Sequence, residues 1–269
     1  PSAATESQAE LSPCSQLGHV SYFAVFDGHA GARAANFMRE RFHELLAADA
    51  PALRRDAKGV LRAAFARADA EWLERACGSG DATDGTTAAV VLLDVGSRRC
   101  VVANLGDTEV VWGARARQGG VVHRVLSEVH DPKKNPAEVI RIRAAGGRVV
   151  RGRLAHPLFS PQAVSLGVSR AIGDIGFKDT RFTGGARTGL AHEPFVASFS
   201  LPPCYDFPGQ FVIVACDGFW GSVKYSDAVQ SAVFLMSSSA SLESAAKGLV
   251  DLAVRSGSQD NVTVLLVAL

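Results

Sequence analysis

No run of apolar residues in this 269-residue chain is long enough to cross a bilayer as a helix, and no signal-peptide pattern stands at its start. Charge of one sign is missing too. With 28 Lys and Arg against 27 Asp and Glu, a net charge of +1, no global field favours nucleic acid or a membrane surface, and any preference for anions has to be local. The five cysteines, Cys14, Cys77, Cys100, Cys204 and Cys216, are odd in number and lack zinc-ligand spacing. That argues against a disulfide framework and for reduced thiols in an intracellular protein, cytoplasmic or nuclear. Repeats, low-complexity tracts and linker-like breaks are absent as well. At 47% hydrophobic and 20% charged residues, one monomeric domain spanning 1–269 is expected. With Pro1 in place of Met, a fragment of a longer chain is expected.

What is present is a recurring pattern. Tyr22-Phe23-Ala24-Val25-Phe26 is an unbroken strand-forming run that ends in Asp27-Gly28-His29. Phe211 to Cys216 runs into Asp217-Gly218, Val101 to Leu105 into Gly106-Asp107, and Asp260-Asn261 opens the last apolar run, Val262 to Val267. An ionised acid at the tip of a buried strand is costly unless a cation or donors compensate it. Four of them, on four strands, predict one carboxylate cluster at one end of a sheet assembly, suited to a hard divalent metal.

Between these runs helices are predicted over Gly31 to Leu46, Ala57 to Cys77, Ser226 to Met236 and Leu242 to Arg255, the first, second and last with an apolar stripe at three- and four-residue steps. Ala88 to Asp94, Arg99 to Leu105, Glu109 to Trp112 and Gly120 to Leu126 read as an antiparallel meander, because they lie too close together for helical crossovers. Pro136, with Glu138 just inside, starts a short helix that Gly146-Gly147 ends. From Arg148 to Pro203 the pattern breaks down, and the glycine-rich stretch at about 173–192 reads as an irregular flap. Residues 1–20 read as a loop. The fold class expected is α+β, with sheet packed on sheet and helices outside. Arg33 and the loop arginines read as solvated surface, Asp84 to Thr87 as a structural turn, and Ser169 to Asp174 as flap packing.

The motifs, taken in order, resemble those of the metal-dependent type 2C serine/threonine protein phosphatases. They are Phe23 to Gly31, Asp84-Gly85-Thr86-Thr87, Asn104-Leu105-Gly106-Asp107, Pro136 with Glu138, Val168 to Asp174, Ala215 to Trp220, and Gln259 to Thr263. The resemblance implies a central β-sandwich of two antiparallel sheets flanked by helices, in α-β-β-α layers. It implies a binuclear Mg²⁺ or Mn²⁺ centre, with Asp27 bridging the metals, the Gly28 carbonyl, Asp217 and Asp260 as ligands, and Asp107 with Asp217 as ligands of a weaker third ion. His29 matches the proposed general acid. The activity implied is hydrolysis of phosphoserine and phosphothreonine in proteins by a metal-activated water, with phosphorylated proteins as partners and neither nucleic acid nor membrane. The rival is a catalytically silent domain of the same fold that acts as a binding scaffold.

Two departures bear on this choice. The family's first strand, with a phosphate-binding arginine and a Glu-Asp pair, is not found ahead of Asp27, where Glu6 and Glu10 are the only acids; either this sequence begins after it, or a gap has removed it, or the protein lacks it, and only the last points to the silent domain. Gly221 stands where the family often has another aspartate.

Overall fold

The computed structural model describes residues 20–79 and 83–269. The chain opens with β1 (Val20–His29), α1 (Arg33–Ala48), a short α2 (Ala50–Leu53) and α3 (Ala57–Ser79), followed by β2 (Gly85–Asp94), β3 (Arg99–Leu105), β4 (Glu109–Arg115) and β5 (Val121–Val125). Next come α4 (Pro136–Ala144), β6 (Arg148–Val150), β7 (Arg153–Ala155), β8 (Ser165–Leu166), β9 (Ile172–Gly173), α5 (Ile175–Lys178) and α6 (Thr180–Thr183). The last third carries β10 (Phe195–Ser200), β11 (Phe211–Ala215), α7 (Asp217–Trp220), α8 (Tyr225–Ser238), α9 (Leu242–Arg255) and β12 (Val264–Ala268). The loop expected over residues 1–20, with Glu6 and Glu10, lies outside the described residues except for Val20, which already belongs to β1.

One sheet runs β1-β2-β3-β10 with β9 added to β2, a second runs β12-β11-β4-β5, and β6-β7-β8 form a small third sheet. Side chains alternate across a strand, so the apolar runs serve two layers at once. On β2, Val90 and Leu92 face α1 and α3 among Phe42, Leu61 and Phe65. Val91 and Leu93 point the other way, into the space between the sheets with Val102, Trp112 and Val214. On β11, Val212 and Val214 join that inner layer, while Phe211 and Ile213 pack with Val229, Leu249 and Ala253 of α8 and α9. The result is the expected α-β-β-α stack. A strand buried on both faces reads as continuous apolar sequence, and this is why the runs are unbroken.

The meander does not form as a single sheet. β2 and β3 pair in the first sheet, β4 and β5 in the second, and the chain crosses between sheets at Gly106-Asp107-Thr108. A short glycine turn serves a hairpin and a corner between packed sheets equally well, so spacing alone does not separate them. The corner is fixed by a 2.6 Å hydrogen bond between the Thr87 and Thr108 hydroxyls and by the His130 N–H donating to the Gly106 carbonyl at 2.8 Å. It leaves Asp107 at the edge of the sandwich.

Residues 148–203 are also more ordered than expected. Besides the small sheet, they supply β10, whose residues Phe195 to Ser200 pair with β3. Buried Glu138 on α4 ties this segment down. Its carboxylate accepts from Arg141 Nε at 3.0 Å, Arg170 Nη2 at 2.6 Å and Ser169 Oγ at 2.5 Å. Burial alone would raise the Glu138 pKa, but these donors outweigh it and hold it at about 2. Arg170 is therefore an anchor and not solvated surface.

Glu138→Gln should destabilise the fold at neutral pH by about 3 kcal/mol, the usual cost of breaking a buried ionic cluster. A carboxyl whose folded pKa is depressed stabilises above its unfolded value and ceases to as pH falls through the folded one. In urea unfolding, the gap between wild type and variant should be constant above about pH 5 and close toward about pH 2; a gap independent of pH would show that Glu138 acts by shape alone.

Candidate metal centre

β1 carries the first acid to the rim of the sandwich. In its register with β2, Asp27 lies opposite Thr87, Gly28 opposite Thr86 and His29 opposite Gly85. Asp217 is the first residue of α7, directly beyond β11. A Cβ on Gly218 would stand 2.0 Å from the Asn261 carbonyl oxygen, so only glycine lets α7 sit on the turn that bears Asp260. Cys216 stitches the same turn. Its thiol donates to the Asn261 carbonyl at 3.4 Å and accepts from the Thr263 N–H at 3.2 Å.

One ligand-type atom from each of Asp27, Cys216 and Asp217 lies within 4.8 Å of the others. Burial raises the Cys216 pKa, so the thiol stays protonated and occupied with backbone, and the hard oxygen donors remain. Burial first, then the charge of Asp217 and a hydrogen bond with it, then Asp107 and Asp260, push Asp27 up to about 7. Burial and Asp217 push Asp107 up to about 7 as well. Asp27, Asp107 and Asp217 thus feel one another directly, and Asp260 is felt at Asp27. Among the described residues none of the four forms an ion pair with Lys or Arg, although Asp69, Asp84 and Glu138 all do. Repelling carboxylates without a paired Lys or Arg among the described residues fit a divalent cation that takes oxygen ligands.

His29 stands beside this cluster with a partner that its sequence context did not announce. Its Nε2 lies 2.9 Å and 2.8 Å from the two carboxylate oxygens of Asp174. Burial alone would lower the His29 pKa; the Asp174 hydrogen bond and charge, with Asp107 and Asp27 behind them, raise it instead. Asp174 is 3% exposed and sits in the left-handed region at φ 57°. The backbone before it is clamped by Asp69, which accepts from the Gly173 N–H at 2.8 Å and from Lys178 Nζ at 2.6 Å. Gly85 makes room for the pair, since a Cβ there would lie 2.2 Å from Asp174 Oδ2 and 2.6 Å from His29 Nε2.

Ser169 to Asp174 is thus more than flap packing. The available signal was Ala171-Ile172-Gly173 running into Asp174, the apolar-then-acid pattern in miniature. Asp84, by contrast, is structural as expected: fully buried, it accepts from the Ala34 N–H at 2.8 Å and from Arg33 Nε at 3.2 Å. Arg33 is accordingly ion-paired and half exposed rather than simply solvated. His130 is fully buried with neither ring nitrogen bonded among the described residues, and burial holds it neutral by lowering its pKa to about 3.

The family model for protein phosphatase 2C matches residues 3–262. The chain belongs to the protein phosphatase 2C family. It is 32% identical to the human integrin-linked kinase-associated serine/threonine phosphatase 2C, over 95% of this chain and 64% of that protein. It is also 32% identical to the probable protein phosphatase 2C 27 of Arabidopsis thaliana, over 94% of this chain and 60% of the relative. The chain spans somewhat under two thirds of the length of these relatives. Its fold is shared with the serine-threonine phosphatase 2C of Toxoplasma gondii, at a TM-score of 0.68 and 21% identity over 93% of this chain and 85% of that one. A C. elegans sex-determining protein gives a TM-score of 0.72 at 20% identity, over 93% of this chain and 56% of that one. The family comprises serine/threonine protein phosphatases and in general depends on divalent metal.

Metal-free protein should lose stability as pH rises from about 4 to about 7, because folded Asp27 and Asp107 keep protons that the unfolded chain has released. Mn²⁺ should therefore raise Tm more at pH 8 than at pH 5, by thermal unfolding. Asp217→Asn should unfold at or above the wild-type temperature without metal, yet lose most of the Mn²⁺-induced shift. A variant with the full shift would remove Asp217 from the ligand set.

Proposed function

We propose that this chain hydrolyses phosphoserine and phosphothreonine in proteins at a binuclear Mg²⁺ or Mn²⁺ centre. The observation that carries the reading is the unpaired carboxylate rim with a carboxylate-backed histidine beside it. Asp27, Asp217, Asp260 and the Gly28 carbonyl would hold the pair of ions, and Asp107 with Asp217 a weaker third. When bound, such ions acidify water toward neutrality and neutralise the phosphoryl oxygens, which is most of what an in-line displacement at phosphorus requires.

The chain's own residues supply the remainder. Asp174 accepts from His29 Nε2–H, which orients the ring and favours the imidazolium. The proton available to the departing serine or threonine oxygen is then the one on Nδ1, a nitrogen without a partner among the described residues. Cys216 and Gly218 hold the Asp260 turn against Asp217, and Lys178 with Asp69 holds the strand end that delivers Asp174. The substrate is a phosphoprotein rather than a small phosphate ester on the strength of family membership.

Phosphate release from a phosphothreonine peptide should require Mn²⁺ or Mg²⁺ and stop with EDTA. Absence of turnover with any divalent metal would favour the silent scaffold. Asp174→Asn should slow an alkyl phosphoester by roughly 10–100-fold, the usual cost of removing an orienting partner. The same change should slow an aryl ester much less, since its leaving group needs less protonation. Equal losses on both would assign Asp174 a structural role only.

A further inference from the structure

Charge is divided unevenly along this nearly neutral chain. Between Pro132 and His192, eleven Lys and Arg stand against three acids, Glu138, Asp174 and Asp179. All three acids are already taken, by Arg141 and Arg170, by His29 and by Arg181 respectively. Lys133, Lys134, Arg148, Arg151, Arg153 and Arg187 are exposed and form no ion pair among the described residues.

These cations are neighbours in space. A Cβ on Gly152 would stand 2.9 Å from the Lys133 Cβ, so the Lys133 stem lies against the turn between Arg151 and Arg153. On the far side, Gly146 backs onto Arg187. Arg151 and Arg153 wall a pocket of about 440 Å³, whose other lining includes Val150, Pro161, Gln162 and Ser165. Arg153 is held in place by Ser165, with 2.9 Å bonds to its hydroxyl and its carbonyl. At the other end of the strip, the turn that bears Lys134 (its N–H donates to the Asp131 carbonyl at 3.0 Å) directly follows His130, whose N–H donates to the Gly106 carbonyl at 2.8 Å, next to Asp107. A basic track therefore runs from the carboxylate rim to the Arg151–Arg153 pocket.

We infer that this track is the docking surface for an acidic segment of the phosphoprotein substrate, with Asp or Glu side chains entering the pocket walled by Arg151 and Arg153 while the phosphorylated residue reaches the rim. The inference rests on the phosphatase reading for its occupant. Complementary charge favours a polyanion here. The pocket's aliphatic and amide lining, with no aromatic ring on which bases could stack, favours an acidic peptide over single-stranded nucleic acid. Lys and Arg at a solvent-exposed site act through long-range attraction and modest ion pairs, so the effect belongs in affinity and KM and weakens with salt.

The test uses two phosphoserine peptides that differ only in flanking Glu against Gln, together with their unphosphorylated forms. Fluorescence anisotropy at low salt without metal should show the unphosphorylated Glu peptide binding roughly five- to tenfold tighter than its Gln counterpart, as two exposed ion pairs allow. The Arg151→Gln/Arg153→Gln double variant should lose that preference, and the Lys/Lys double variant should keep it. With Mn²⁺, the same preference should appear in kcat/KM through KM, while p-nitrophenyl phosphate turnover stays at the wild-type rate in both variants. Equal binding of the two peptides, a preference that survives in the Gln variant, or tighter binding of a single-stranded oligonucleotide that displaces the Glu peptide would each overturn the inference. Failure of all phosphate release would overturn the phosphatase reading instead, and the binding arm would still decide the docking site.

Discussion

Mutual repulsion among acids that meet at one edge of the sandwich is the constraint to which the rest of the structure answers. Asp27 and Asp107 are both pushed to about 7 by burial and by their acidic neighbours. A chain left to maximise its own stability would not gather them. The apolar layers offset this cost: the helices on the outer faces and the inter-sheet core together bury nearly every residue of β2, β3, β4 and β11. The glycine approach at Gly218, the corner at Gly106 and the register of β1 on β2 all act on the same few ångströms. They bring acids from distant parts of the chain to one rim, where a divalent ion would convert repulsion into attraction.

The stretch from Pro132 to His192 carries the opposite charge and a different kind of order. Its acids are already paired, Glu138 with the arginines that tether the segment and Asp174 with His29. Its surplus cations face solvent. The molecule thus carries both an acidic rim and a set of exposed, unpaired cations among the described residues. A chain of net charge +1 conceals both. Tethering through Glu138 and Asp69 also means that the residue behind His29 is held by the same segment, so the proposed docking surface and the orientation of the histidine share one scaffold.

Much of this was legible in the residues. Unbroken runs such as Phe211 to Cys216 read as strands because both faces are covered, and helical stripes such as Leu242 to Arg255 fell within a residue or two of the structure. Acids at the ends of those runs pointed to the rim because few other arrangements tolerate them. The rest depended on relations across the chain. Whether Gly106 makes a hairpin or a corner is decided by Thr87 and His130, far from it in sequence. Phe195 to Ser200 is a short edge strand whose pattern, apolar residues broken by Ala and Ser, is set by its partner β3. Asp174 meets His29 across 145 positions, and only the exact fit at Gly85 betrays the pairing.

The central claim is that the rim is built to hold divalent ions and is protonated in part when it holds none. Isothermal titration of metal-free protein with Mn²⁺ at pH 7, repeated in buffers of different ionisation enthalpy, addresses it directly. The account predicts saturable binding of about two ions per chain, with protons released as Asp27 and Asp107 give way to metal. Binding without proton release, or no saturable binding at all, would contradict it.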